Sequence, residues 1–164
     1  MTMPDLSMHI LDIVENSTRA GAKLVSIEII EDSTKNIMSV SIKDDGKGMS
    51  EEELKRALDP FYTTKKERSK VGLGLPMMRE TCEMTGGRLT VSSQPGKGTM
   101  VTAEMGLDNI DRPPLGDFNQ TLKIVIATNP GVDFDISYTV DGETESFTTR
   151  DDSQCQSGVP DNAA

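Results

Sequence analysis

Asp44-Asp45-Gly46-Lys47-Gly48-Met49 places a carboxylate and two closely spaced glycines at the end of an alternating strand. A carboxylate there can accept a hydrogen bond from an exocyclic amine, with its orientation fixed by the sheet. Gly46 and Gly48 let the backbone take positive φ and approach a small planar ligand where a Cβ would intrude. The same residues also suit a plain Asp-Gly turn. Asp12 and Asn16 lie one helical turn apart on a stripe with Asp5, His9 and Arg19. That stripe is either a solvated helix face or a ligand-facing one, and an amide oxygen such as that of Asn16 suits a hard cation. Gly72-Leu73-Gly74-Leu75-Pro76 opens a helix, and a free helix N-terminus preceded by glycines attracts anions through its dipole and unpaired N–H groups. Just upstream, Lys65, Lys66, Arg68 and Lys70 form the densest cationic cluster, a solvated loop on one reading and a phosphate contact on another.

The surrounding elements place these residues. A helix is expected from Asp5 through Ala20, stopping at Gly21, with Leu6, Ile10, Ile13, Val14 and Ser17 on the arc facing a sheet. Strands follow over 23–30 and 37–43, joined by the polar turn 31–36, so that Asp44 falls at a strand end. Ser50 and Glu53 form a capping box for a short helix ending near Leu58, and Asp59 to Val71 reads as a loop able to move. The helix after it runs to Met84 and stops at Gly86-Gly87; strands over 89–93 and 100–105 flank the turn 94–98. Beyond the linker 112–116, a helix over 117–128 and a hairpin across Asp141-Gly142 make a small αββ appendage, and 151–164 has the composition of a disordered tail. The expected organisation is a main domain over 1–110, the appendage over 111–150, and the tail.

The totals narrow the function classes. A chain of 164 residues can bury a real core, one with only 4% aromatic residues, no Trp and 10 Met, hence aliphatic and adaptable. A net charge of -10 opposes non-specific binding to nucleic acid or acidic membranes, so polyphosphate would need local cations or a metal ion. Cys82 and Cys155 make neither a disulfide framework nor a zinc spacing, which points to a reduced, cytoplasmic compartment, and no apolar run is long enough to span a membrane. Several motifs fail. Ser41 and Val91 stand where a Walker loop would need glycine, Met77 replaces the third glycine of a dinucleotide fingerprint, and one histidine with no Gly-x-Ser-x-Gly gives a hydrolase triad little support.

In order along the chain, the motifs resemble those of the histidine-kinase-like ATPases, the group containing gyrase, the large heat-shock chaperone, mismatch-repair proteins and sensor kinases. Asp12-Ile13-Val14-Glu15-Asn16 resembles the N box and Asp44 to Met49 the first glycine box. Asp59-Pro60-Phe61-Tyr62-Thr63-Thr64-Lys65 is similar to the F box of sensor kinases, Gly72-Leu73-Gly74-Leu75 to the second glycine box, and Gly96-Lys97-Gly98-Thr99 to the closing Gly-x-Gly-Thr. The resemblance spans about 6–105. It implies that Asn16 holds Mg²⁺ bridging the phosphates of ATP, that Asp44 accepts from the adenine N6 amine, and that Gly46, Gly48 and Met49 line the base pocket. It further implies that Lys65 meets phosphate, that the N–H groups of Gly72, Leu73, Gly74 and Leu75 cradle the triphosphate, and that Thr99 supports Asp44.

Two departures stand out. Hydrolysing members place Glu four residues before the metal-binding Asn, where this chain has the shorter Asp12, and Lys70 stands where the second glycine box often begins with glycine. His9 lies inside the N-box helix, so the expectation is an ATP-binding domain without a phosphoacceptor-histidine helix before it, and not a complete sensor kinase.

The expected fold is a two-layer α/β sandwich, helices on one face of a mixed, mostly antiparallel sheet, binding Mg-ATP. The expected function is transfer of the γ-phosphoryl to a partner protein, with Asp12 or Glu15 near the attacking group; the alternative is a non-catalytic module whose partner binding is gated by nucleotide. A homodimer is compatible with either reading.

Overall fold

A computed structural model describes residues 5–59 and 74–149. In chain order the elements are α1 (Leu6–Arg19), β1 (Leu24–Asp32), β2 (Ile37–Asp44), α2 (Glu51–Ala57), α3 (Gly74–Met84), β3 (Arg88–Gln94), β4 (Gly98–Gly106), α4 (Phe118–Thr128), β5 (Asp133–Val140) and β6 (Glu143–Thr148). The strands form one six-stranded sheet in the order β3-β4-β2-β1-β5-β6, antiparallel throughout except for the parallel β1–β5 pair.

Alternation builds the core. The inward residues Val25, Ile27 and Ile29 of β1, Met38, Val40 and Ile42 of β2, and Val101, Ala103 and Met105 of β4 are buried against Leu6, Ile10, Ile13 and Val14 of α1 and Leu75, Met78 and Cys82 of α3. The outward positions Ser39, Ser41, Thr90, Ser92 and Thr102 are polar and partly or fully exposed, so the helices lie on one face and the sandwich has two layers. The expected fold class is what the structure shows.

The αββ unit is sewn into this body. β5 extends the sheet along β1, and Phe118, Val125, Phe134 and Ile136 join the same buried cluster as α1, α3, β1, β2 and β4. A parallel partner for β1 leaves no local sequence signal, because the hairpin pattern fixes β5 against β6 and says nothing about the next neighbour. The residues between also brace α1: the carbonyls of Pro114 and Leu115 accept from the N–H groups of Leu6 and Ser7 at 2.8 and 3.0 Å. The Asp5 carboxylate caps Met8 N–H at 3.0 Å, so three donors at the helix start are satisfied. The capping box of α2 forms as expected between Ser50 and Glu53. Among the described residues no helix is long and apolar enough to cross a membrane.

Candidate functional site

The ladder registers fix where the first glycine box stands. Asp44 is the last residue of β2, opposite Val25 of β1 on one side and Thr99 of β4 on the other. The next residues cross the ends of three elements and are tied to each. Asp45 Oδ1 accepts from the N–H groups of Lys23 and Leu24 at 2.8 and 3.0 Å, which holds its carboxyl below the usual carboxylate range. Lys47 N–H donates to the Ala20 carbonyl behind α1 at 2.9 Å, and the Lys47 carbonyl accepts from Gly96 N–H at 2.6 Å. Gly48 has φ +71°, and a Cβ there would lie 2.0 Å from the Gln94 carbonyl oxygen, so the box and the β3–β4 hairpin meet backbone to backbone.

These contacts enclose a cavity of about 290 Å³. Asn16, Asp44, Gly48, Met49, Leu75 and Thr99, six residues that the sequence assigned to one ligand from four separate motifs, all line it. Gly46 stands behind Asp44, its N–H donating to Asp44 Oδ1 at 2.8 Å. Gly74 begins α3 beside Asp12, where a Cβ would come within 3.2 Å of the Asp12 Cβ; the first turn of α3 therefore borders the cavity at Leu75 while Asp12 lies outside its lining. Lys65, Gly72 and Leu73 lie outside the described residues, as does the loop of the F box after Asp59.

Two groups in the lining carry chemistry. Asp44 is 8% exposed, and its second oxygen takes a 2.6 Å bond from the Ser17 hydroxyl. The carboxylate is thus held by two donors and keeps lone pairs for a third. Sequence reasoning placed Ser17 on the core arc and gave it no part in the site; the signal was a hydroxyl among Ile10, Ile13 and Val14. Thr99, expected to support Asp44 through the adenine-side network, bonds Ser93 through its hydroxyl at 2.7 Å, and the hydrogen bonds made directly to the Asp44 carboxylate come from Ser17 and Gly46. Asn16 Oδ1 is buried with no hydrogen-bond partner among the described residues. An orphaned amide oxygen in a cavity wall is costly unless a ligand supplies the missing partner. Arg19 and Lys47 also line the cavity, bringing positive charge to it. Arg19 shared the suspect stripe of α1, and its spacing of one turn from Asn16 was the clue to its place.

The donor set fits Mg²⁺ carried with phosphates. Magnesium takes oxygen ligands and is held by few protein groups plus phosphate oxygens and water, and Asn16 Oδ1 is one unsatisfied oxygen of that kind. Among the described residues no group of three His, Cys, Asp or Glu side chains converges to hold a metal without such help.

Comparison with known proteins decides the family. Residues 3–109 match the model of the histidine kinase-, DNA gyrase B- and HSP90-like ATPases. The chain belongs to that family. It is similar to the sensor histidine kinase YvrG of Bacillus subtilis, 32% identical over 94 residues that cover 56% of this chain and 16% of the relative. It is likewise similar to sporulation kinase C of the same organism, 34% identical over 95 residues covering 58% of this chain and 22% of that kinase. The chain thus spans less than a quarter of the length of these kinases. Among solved structures, the Aquifex aeolicus MutL ATPase domain complexed with ADP superimposes with a TM-score of 0.50 at 17% identity, over 87% of this chain and 62% of that one, a likeness of fold. The chain carries an ATP-binding domain of this ATPase family, and the matched region stops short of α4, β5 and β6.

Proposed function

We propose that the cavity binds Mg-ATP and that the protein uses it as phosphoryl donor toward a side chain of a partner protein. One observation supports this reading: the buried Asn16 Oδ1, without a partner among the described residues, and the doubly anchored Asp44 carboxylate belong to the lining of a single cavity. Asp44 accepts from the adenine amine, and the length of ATP then carries its phosphates toward Asn16, Arg19 and the first turn of α3. Asn16 Oδ1 would hold the magnesium ion, which when bound would supply charge neutralisation of the phosphates. In the transfer, the bond between the γ-phosphorus and its bridging oxygen breaks, a bond to the attacking nitrogen or oxygen of the partner forms, ADP leaves, and the attacking group's proton passes to Asp12, which stands beside the first residue of α3. Incubation with γ-labelled ATP and extract should label a second protein; slow release of free phosphate with no labelled protein would defeat the kinase reading.

The place of Asp12 favours a second reading. It packs beside Gly74 outside the cavity lining and is one methylene shorter than the Glu of hydrolysing relatives, an arrangement that suits a module gated by nucleotide without transfer. Asp12→Asn separates the two: it should abolish labelling by a kinase and leave a nucleotide-dependent partner complex intact.

A further inference from the structure

The Ser93 hydroxyl joins two parts of the cleft that belong to separate motifs. Ser93 is half-buried near the end of β3, and its Oγ accepts from Met49 N–H at 2.8 Å. The same oxygen lies 2.7 Å from Thr99 Oγ1 and 3.1 Å from the Gly98 carbonyl oxygen. A serine hydroxyl has one proton and two lone pairs, and a backbone carbonyl can only accept. With its proton on Gly98, Ser93 receives the Met49 N–H and the Thr99 proton, which fills its capacity. Thr99 has then spent its proton on Ser93 and offers only lone pairs to the cavity.

We propose that Ser93, which does not itself line the cavity, is a positioning residue of the base pocket, fixing Thr99 as an acceptor toward the ligand and holding the glycine-box backbone at Met49 in place. The proposal rests on reading the cavity as a nucleotide pocket. The neighbouring bond from Gly96 N–H to Lys47 keeps the hairpin tip against the box without Ser93, so removing the hydroxyl releases Met49 N–H and Thr99 while leaving that backbone contact in place.

The test is calorimetric titration of the full chain with Mg-ATP, alongside nucleotide-free melting, for the parent, Ser93→Ala, Ser93→Thr, Thr99→Val and the Ser93→Ala/Thr99→Val double variant. Each alanine or valine change should weaken binding about tenfold, the size of one lost hydrogen bond and its unmet partner. Ser93→Thr keeps the hydroxyl and should restore affinity to within about twofold of the parent. Because Ser93 acts in part through Thr99, the losses should not multiply, and the double variant should stay within about threefold of Thr99→Val. Should Ser93→Ala melt below the assay temperature, Ser93→Cys keeps the size with a much weaker donor and acceptor and takes its place. A Ser93→Ala protein that binds like the parent, or a double variant about a hundredfold weaker than it, overturns the positioning role alone. A parent that does not bind Mg-ATP overturns the nucleotide reading and this role with it.

Discussion

Replacing Asp44 with asparagine tests the base end of the cleft with little change of shape. Asp44 Oδ2 takes a 2.6 Å bond from the Ser17 hydroxyl, and Oδ1 takes a 2.8 Å bond from Gly46 N–H. Asparagine has a single acceptor oxygen, so one of these donors must face an NH₂ group, and the adenine amine loses a charged acceptor. Hydrogen bonds to charged groups contribute about 1.5–3 kcal/mol; taking about 2 kcal/mol and about 1.4 kcal/mol per decade gives roughly thirtyfold weaker binding. The assay is calorimetric titration with Mg-ATP and with the purine riboside triphosphate that lacks the 6-amino group. The parent should prefer ATP over that analogue by about thirtyfold, and Asp44→Asn should reduce the preference to about one, because the analogue never used the carboxylate. An Asp44→Asn protein that keeps the parent's preference refutes the assignment of Asp44 to the amine, whatever happens to its absolute affinity.

Asn16→Ala removes the orphaned oxygen, so ATP affinity should lose most of its magnesium dependence while affinity for adenosine stays within about twofold; titrations with and without Mg²⁺ check this. Gly48→Ala forces an L side chain to φ +71° and a Cβ to 2.0 Å from the Gln94 carbonyl, and denaturant melts should show a loss of at least about 2 kcal/mol. His9 is the sole histidine; its burial pushes its pKa down from 6.5, with Asp5 opposing in part. The unfolded chain therefore binds the proton first as pH falls, so stability should be undiminished above about pH 7 and decline below 6.5, and His9→Gln should flatten that limb of the melting profile. Asp45 acts with the same sign on a more acidic limb. Its folded pKa lies below 3.8, so its contribution is complete above that value and is lost as pH falls through the lowered one, a dependence that Asp45→Asn should remove from acid melts.

Much of this cleft was legible because its parts are local. Alternation put Asp44 at a strand end, the capping box fixed α2, and the Gly86-Gly87 stop closed α3, each within a few residues of its signal. What stayed hidden depends on distant pairings. The bond from Ser17 to Asp44 spans 27 positions, and the Met49 tie to Ser93 spans 44; both need the sheet order before they can be seen. Ser17 satisfied the core pattern of α1 so well that its polarity went unused. His9 sat on the stripe with Asp12 and Asn16, and helical periodicity could not show that at its own level this stripe is covered while Arg19, farther along, is exposed.

The way α1 is held bears on which phosphate chemistry the cleft can support. This one helix carries Asn16 into the cavity lining and the Ser17 hydroxyl to Asp44, so any tilt moves both parts of the lining together. Its start is fastened by the carbonyls of Pro114 and Leu115, and the residue after its end by the Ala20–Lys47 bond to the glycine box. The first fastening comes from residues beyond the 3–109 family match, and it is backed by β5 joined to β1 and by Phe118 and Phe134 in the shared core. The αββ unit is therefore part of what keeps Asn16 and Asp44 in register. A helix fixed at both ends favours a cleft preformed around Asp44. In such an arrangement, adenine recognition and phosphate chemistry can be perturbed separately, which is why the Asp44 and Asn16 substitutions should give distinct signatures and not one common loss.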